Sequence, residues 1–335
     1  MSKNKQTIPG FTLKKKLGAG GMGSVYKAVQ QSLDREVAIK VMPIELAENP
    51  EFRERFFREA KAAGRLNHPN IVQGIDAGEA GPYCWIAMEL VNGPSVADLL
   101  KERERFGETE ALAIVTDIAR ALEHAASHGI IHRDVKPENF LRAANGVTKL
   151  CDLGIAKAAA EDTGLTQEGR AVGTPRYISP EQARGEQNID ARADIYSLGA
   201  SWYHLLTGQP PFDGPTAAVV MTKHITDEPE PIQDLVDEVS PHTVRVIARM
   251  MAKDKEKRYP GLAELLVDLE ALARGELPRG ALATSVPGGA SRSKRRRAKG
   301  ERKGGGKTKG EKAARNGRTG TGKTAVNRAA GRAGA

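Results

Sequence analysis

The stretch that decides the fold is Ile130–Phe140, IIHRDVKPENF, followed after eight residues by Lys149–Lys157, KLCDLGIAK. Between them they place Asp134, Lys136, Asn139 and Asp152 in a short span of chain. Asn139 and Asp152 offer hard oxygen ligands, which suit Mg²⁺ held together with triphosphate oxygens. Asp134 can accept a hydroxyl proton, and Lys136 can neutralise charge on a phosphoryl group in transit.

Upstream the chain reads as short strands. FTLKKKLGAG, SVYKAVQ and REVAIKVM read as three, with turns at Gly-rich and SLD segments, and IVQGIDAGE and YCWIAMEL read as two more. Between the two groups, Pro50–Leu66 reads as a helix. Downstream the pattern turns helical: SVADLLKERERF, ETEALAIVTDIARALEHAASHG, DARADIYSLGASWYHLLTG, TAAVVMTKHI, PHTVRVIARMMA and GLAELLVDLEALARG. A strand-rich N-terminal lobe joined to a helical C-terminal lobe follows, and ligands favour such junctions.

Two glycine stretches compete for a nucleotide. Gly18, Gly20 and Gly23 make G-x-G-x-x-G, and the residues after Gly23 continue as a strand, so this loop is a hairpin whose backbone can lie close over phosphates. A dinucleotide fold would instead enter a helix there. Gly317–Thr324, GRTGTGKT, fits the P-loop pattern, but no apolar strand precedes it and no periodic helix follows. It reads as a product of local composition.

Lys40 sits in the apolar strand EVAIKVM, where a lysine ordinarily marks an edge with a solvated head. The next helix argues otherwise. Phe52, Phe56, Glu59, Ala63 and Leu66 share one stripe, so Glu59 interrupts an apolar face while Glu51 and Glu54 lie off it. An inward carboxylate needs a cation, and Lys40 is its natural partner.

The ordered series GAGGMG, VAIK, HRDVKPEN, DLG, GTPRYISPEQ and DIYSLG resembles the eukaryotic-like Ser/Thr protein kinases of bacteria, from about Phe11 to Gly275. The resemblance implies a bilobal α+β fold, with an antiparallel N-lobe over residues 11–91 carrying one helix and a mainly helical C-lobe over 92–275. It implies transfer of phosphate from ATP, with Mg²⁺ or alternatively Mn²⁺, to Ser/Thr side chains of protein substrates. It implies that Gly18, Ala19, Gly20, Gly21, Met22 and Gly23 cover the phosphates. Lys40, paired to Glu59, would hold them, Val25 and Ala38 would wall the adenine, Met88 would stand as gatekeeper, and Glu89 to Val91 would form the hinge. Asp134 would be the base, Lys136 the γ-phosphate contact, and Asn139 and Asp152 the metal ligands. Asp194 would brace the catalytic loop, Glu181 would pair with Arg258, and Thr174 would contact the catalytic loop. Arg133 would read a phosphate on the activation loop, for which Thr166 and then Thr163 are the candidate self-phosphorylated acceptors. The family's D-F-G appears as D-L-G, with Leu153, and A-P-E as Ser179-Pro180-Glu181.

Composition bounds the rest. The net charge of +9 is a split: Gly280–Ala335 holds 16 Lys/Arg against 2 Asp/Glu, leaving −5 for residues 1–279. That tail contains no Phe, Tyr, Trp, Ile or Cys and is expected to be disordered. Three readings of it stand: a solvated extension, a polyanion (nucleic acid) contact centred on KRRRAK, or a phosphoacceptor segment. Two cysteines exclude a disulfide framework, and no apolar run is long enough for a transmembrane segment, so a cytoplasmic protein is expected. The rival functions are a pseudokinase scaffold, a polyanion binder, and a P-loop NTPase built on Lys323.

Overall fold

A computed structural model describes residues 8–20, 23–152 and 175–282, all within one compact unit. The tail from 283 onward, with its P-loop-like string, lies outside the described residues, as do Gly21, Met22, Leu153, Thr163, Thr166 and Thr174.

Strands β1 (Phe11–Gly20), β2 (Gly23–Gln30), β3 (Arg35–Val41), β4 (Gly74–Ala80) and β5 (Tyr83–Glu89) form one antiparallel sheet in the order β1-β2-β3-β5-β4. After β3 come a single turn, α1 (Ile44–Ala47), and helix α2 (Pro50–Arg65). The period-2 alternation on β3 separates two cores. Val37, Ile39 and Val41 pack with Phe11, Trp85 and Ala87 on one side. On the other, Met42, Cys84 and Ile86 pack beneath Phe56 and Ala60 of α2. Asn49 caps α2 by accepting the Glu51 N–H, and Pro50 opens its first turn.

The second lobe runs through α3 (Val96–Arg103), α4 (Glu108–Ser127), a 3₁₀ turn (Pro137–Asn139), the hairpin β6 (Phe140–Arg142) and β7 (Thr148–Leu150), and α5 (Pro180–Ala183). It continues with α6 (Ala191–Thr207), α7 (Ala217–Thr226), α8 (Ile232–Leu235), α9 (Pro241–Met250), α10 (Leu262–Ala273) and α11 (Arg279–Leu282). Helix α6 is buried nearly all round, from Ala193 to Leu206, and packs on α4, α9 and α10. A helix without a polar face belongs at the centre of a lobe.

Several expectations are corrected. The strand foreseen from Ile71 begins only at Gly74, because Ile71 and Val72 turn to the other lobe: Ile71 bridges to Leu150, and Val72 N–H donates to Leu150 O at 2.9 Å. The helix foreseen to Phe106 ends at Arg103, where Glu104 takes φ 65° and Phe106 swings into the core. The folded region also exceeds 11–275. Ile8 is buried, and residues 280–282 of the expected tail belong to α11, whose Gly280 N–H donates to Asp268 at 3.0 Å. The three-residue strands β6 and β7 are too short to show a period.

Candidate active site

The site lies where β3, α2 and the loops around β6 and β7 meet. Lys40 is on the central strand, not an edge, and only 7% exposed. Its Nζ lies 3.2 Å from Glu59 Oε1 on α2 and 2.8 Å from Asp152 Oδ1 just after β7. Burial alone would push the Lys40 ammonium down, but the two carboxylates outweigh it and hold it above its ordinary value. Burial pushes the Glu59 carboxyl up, against the pull of Lys40. Register puts Val25 opposite Lys40 and Met88 opposite Ala38, so these four residues share one face of the sheet. Beyond Met88 a small pocket opens between Glu59, Ala63, Ile71, Leu150 and Asp152.

The glycine loop is a hairpin tip: Ala19 pairs with Ser24 and Gly20 with Gly23. Gly23 has φ 139°, and a Cβ there would come within 2.1 Å of Val41 O, so its need for glycine comes from the sheet itself. Gly18 has open space around it.

The loop before β6 is fixed from beneath by Asp194, in the first turn of α6. Its two oxygens accept the N–H groups of His132 and Arg133, each at 2.8 Å. Burial raises the Asp194 carboxyl, and these donors oppose the rise. Arg133 and Asp152 both take positive φ, 60° and 53°, so the strained residues of the region sit at the loop and at its neighbour. Asp134 Oδ2 accepts Lys136 Nζ at 2.8 Å and Asn139 Nδ2 at 3.3 Å, while Asn139 Nδ2 also donates to Asp134 O at 2.8 Å. With its amide nitrogen committed, Asn139 keeps its amide oxygen as an acceptor.

Two residues without an assigned role in the sequence reading complete the loop. His132 is fully buried; it accepts the Asp134 N–H at Nδ1 (3.2 Å) and contacts Cys151 O at Nε2 (3.2 Å), which fixes its tautomer. Gln182 Nε2 donates to Arg133 O at 3.1 Å, and Ser179 and Gln182 cap α5 reciprocally. Burial raises the Cys151 thiol well above its usual range. Glu181 and Arg258 meet away from this cluster, in a buried pair of their own. Glu89 ends β5, and Val91 follows it, half-buried, on the linker. Gly93 could carry no side chain, since a Cβ would lie 1.8 Å from Arg142 O where the linker crosses β6.

The donor set fits a divalent cation shared with phosphate. Among the described residues no group of three or more His, Cys, Asp or Glu could hold a metal alone. The Asp152 carboxylate and the Asn139 amide oxygen suit a Mg²⁺-type ion when phosphates and water supply the other positions.

A protein kinase domain model matches residues 11–268. This chain belongs to the protein kinase domain family. Among its kinase relatives it is 42% identical over 266 residues to serine/threonine-protein kinase PknB of Mycobacterium leprae, covering 78% of this chain and 43% of that one. It is 39% identical over 284 residues to a probable serine/threonine-protein kinase of Corynebacterium efficiens, covering 82% and 43%. The chain thus spans less than half the length of these relatives. Among solved kinase structures, the PknI kinase domain of Mycobacterium tuberculosis superposes with a TM-score of 0.63 at 30% identity, over 80% of this chain and 97% of that one. The protein kinase fold expected from the sequence is therefore present. Protein kinases as a family use ATP with a divalent cation. No helix among the described residues is long and apolar enough to cross a membrane.

Proposed function

We propose that this chain phosphorylates Ser and Thr side chains of proteins with Mg²⁺-ATP, Mn²⁺ serving as an alternative ion, and that a kinase domain near residues 11–275 carries the activity. The observation that carries the reading is the convergence of Lys40, Glu59 and Asp152 beside the Asp134–Lys136–Asn139 cluster. Residues 18–23 cover the phosphates, while Val25, Ala38, Met88 and Glu89 to Val91 frame the adenine. Lys40, kept cationic by its two carboxylates, binds phosphate oxygens, and Glu59 holds its orientation. Asn139 and Asp152 hold the ion, which when bound neutralises charge on the phosphate oxygens.

Asp134 orients the incoming hydroxyl and takes its proton as the oxygen bonds to the γ-phosphorus and the bridging oxygen leaves with ADP. Lys136, 2.8 Å from Asp134, offsets the charge that develops between them. Most of the acceleration then comes from positioning and charge stabilisation. Arg133 reads phosphate that self-phosphorylation places on Thr166 or Thr163. The +14 charge of residues 280–335 supports a polyanion contact by that tail through its phosphate groups.

The test is intact mass and phosphopeptide mapping after incubation with Mg²⁺-ATP, beside Asp134→Asn. Phosphate on the parent chain alone, with Thr166 or Thr163 among the sites, is expected. No phosphate on either the chain or a general protein substrate would sink the reading.

A further inference from the structure

Lys149 stands in the middle of β7, three residues before Asp152, and its side chain is only 17% exposed. Its ammonium reaches across the lobe junction to Glu89, at 2.9 Å from Oε1 and 3.0 Å from Oε2. Glu89 is the last residue of β5, where the chain leaves the sheet for the linker. The same carboxylate accepts the Gln73 N–H at 3.4 Å, and Glu89 N–H donates to Gln73 O at 2.9 Å. On the other side β7 is fastened just as closely: Leu150 N–H donates to Asn70 O at 2.8 Å, and Cys151 N–H to Asn139 O at 2.9 Å. A partly buried bidentate pair therefore joins the end of β5 to the strand that delivers Asp152, through a short and well-braced path.

We propose that Lys149 is a positioning residue that sets the spacing between the hinge and Asp152, and with it the fit of the nucleotide as a whole. The inference rests on the proposed function. A nucleoside triphosphate has a limited reach between base and phosphates, so a site that grips both ends binds it best when its two grips are held at one separation within that reach. A side chain that binds only one end is indifferent to it. Lys149 touches neither end: its ammonium ties the strand that leads to Asp152 to the side chain of Glu89, the residue that opens the hinge. Its loss loosens the separation and weakens ligands that span the cleft, while a ligand confined to the hinge is little affected.

The experiment measures the affinities of Mg²⁺-ATP and of adenosine for the full chain and for Lys149→Met, Lys149→Gln and Lys149→Arg. Lys149→Gln removes the charge and keeps a polar end beside Glu89, so it serves if Lys149→Met folds poorly. Loss of ATP affinity by about fivefold in Lys149→Met and Lys149→Gln is expected, with adenosine affinity within about twofold and near-parent behaviour in Lys149→Arg. ATP affinity unchanged in both Lys149→Met and Lys149→Gln overturns the proposal. So do equal losses for adenosine and ATP, which would mark a merely structural pair. Failure of the parent chain itself to bind ATP would overturn the proposed function instead.

Discussion

Glu181 and Arg258, 77 residues apart, meet in a bidentate pair at 2.6 and 2.8 Å with both side chains essentially out of water. Arg258 is satisfied on every side: Nε donates to Ala252 O at 2.8 Å, Nη1 to Arg192 O at 2.9 Å, and the guanidinium lies over the Tyr196 ring. Removing one partner leaves a buried charge without compensation. Arg258→Met should therefore cost about 3–5 kcal/mol, read as a fall in the denaturation midpoint. A loss under about 1 kcal/mol would show that the pair is not a main fastening of the lobe.

Lys40→Met should fold and yet lose at least about a hundredfold in phosphoryl-transfer rate, because the cation aimed at the phosphates is gone. Glu59, already raised by burial, then lacks its counter-charge and rises further. A raised carboxyl binds more protons folded than unfolded, so this group makes stability fall as pH rises through its titration. The variant should lose stability relative to the parent as pH rises above the ordinary carboxylate range, read in thermal melts. A parallel profile would mean that Glu59 finds another cation.

Two histidines, His224 buried and His204 half-buried, set a second pH dependence. Burial, with Arg176 nearby, lowers His204 to about 4, and burial, with Lys253 nearby, lowers His224 to about 3. Each shares a hydrogen bond with a tyrosine: Tyr177 OH lies 2.7 Å from His204 Nδ1, and Tyr196 OH 2.9 Å from His224 Nδ1. The unfolded chain, with imidazoles near 6.5, binds the extra protons between these values and 6.5. Stability is complete above about pH 6.5 and falls toward pH 4, by up to about 1.4 kcal/mol per pH unit for each group. His204→Gln/His224→Gln should flatten that slope in denaturant titrations; an unchanged slope would assign it to carboxylates.

Much of this was legible in the sequence because it rests on short-range pattern. The stripe Phe52-Phe56-Glu59-Ala63-Leu66 foretold an inward carboxylate, and the structure puts Glu59 beside Lys40. What stayed hidden depends on distant chain. Nothing near Lys149 says that its partner is 60 residues away, and His132 acquires its tautomer only when Cys151 O arrives. Ile71 and Val72 look like strand because they are β-branched and apolar, but their backbone partners come from the other lobe. Gly93 resembles any linker glycine until Arg142 crosses it.

That crossing of chain has a consequence for how the molecule can be divided. Asn70 Nδ2 donates to Thr148 O at 3.0 Å, Leu150 N–H returns to Asn70 O, and Val72 N–H goes to Leu150 O. The first lobe thus takes from residues some 78 positions later the partners that its own connection between α2 and β4 requires. A fragment ending near residue 91 would carry a complete five-stranded sheet and still strand those backbone groups. The boundary between lobes marks where the ligand enters and not where the polypeptide could be cut into autonomous folding units. During synthesis the segment at Asn70–Val72 must wait for β7 before its backbone is fully paired.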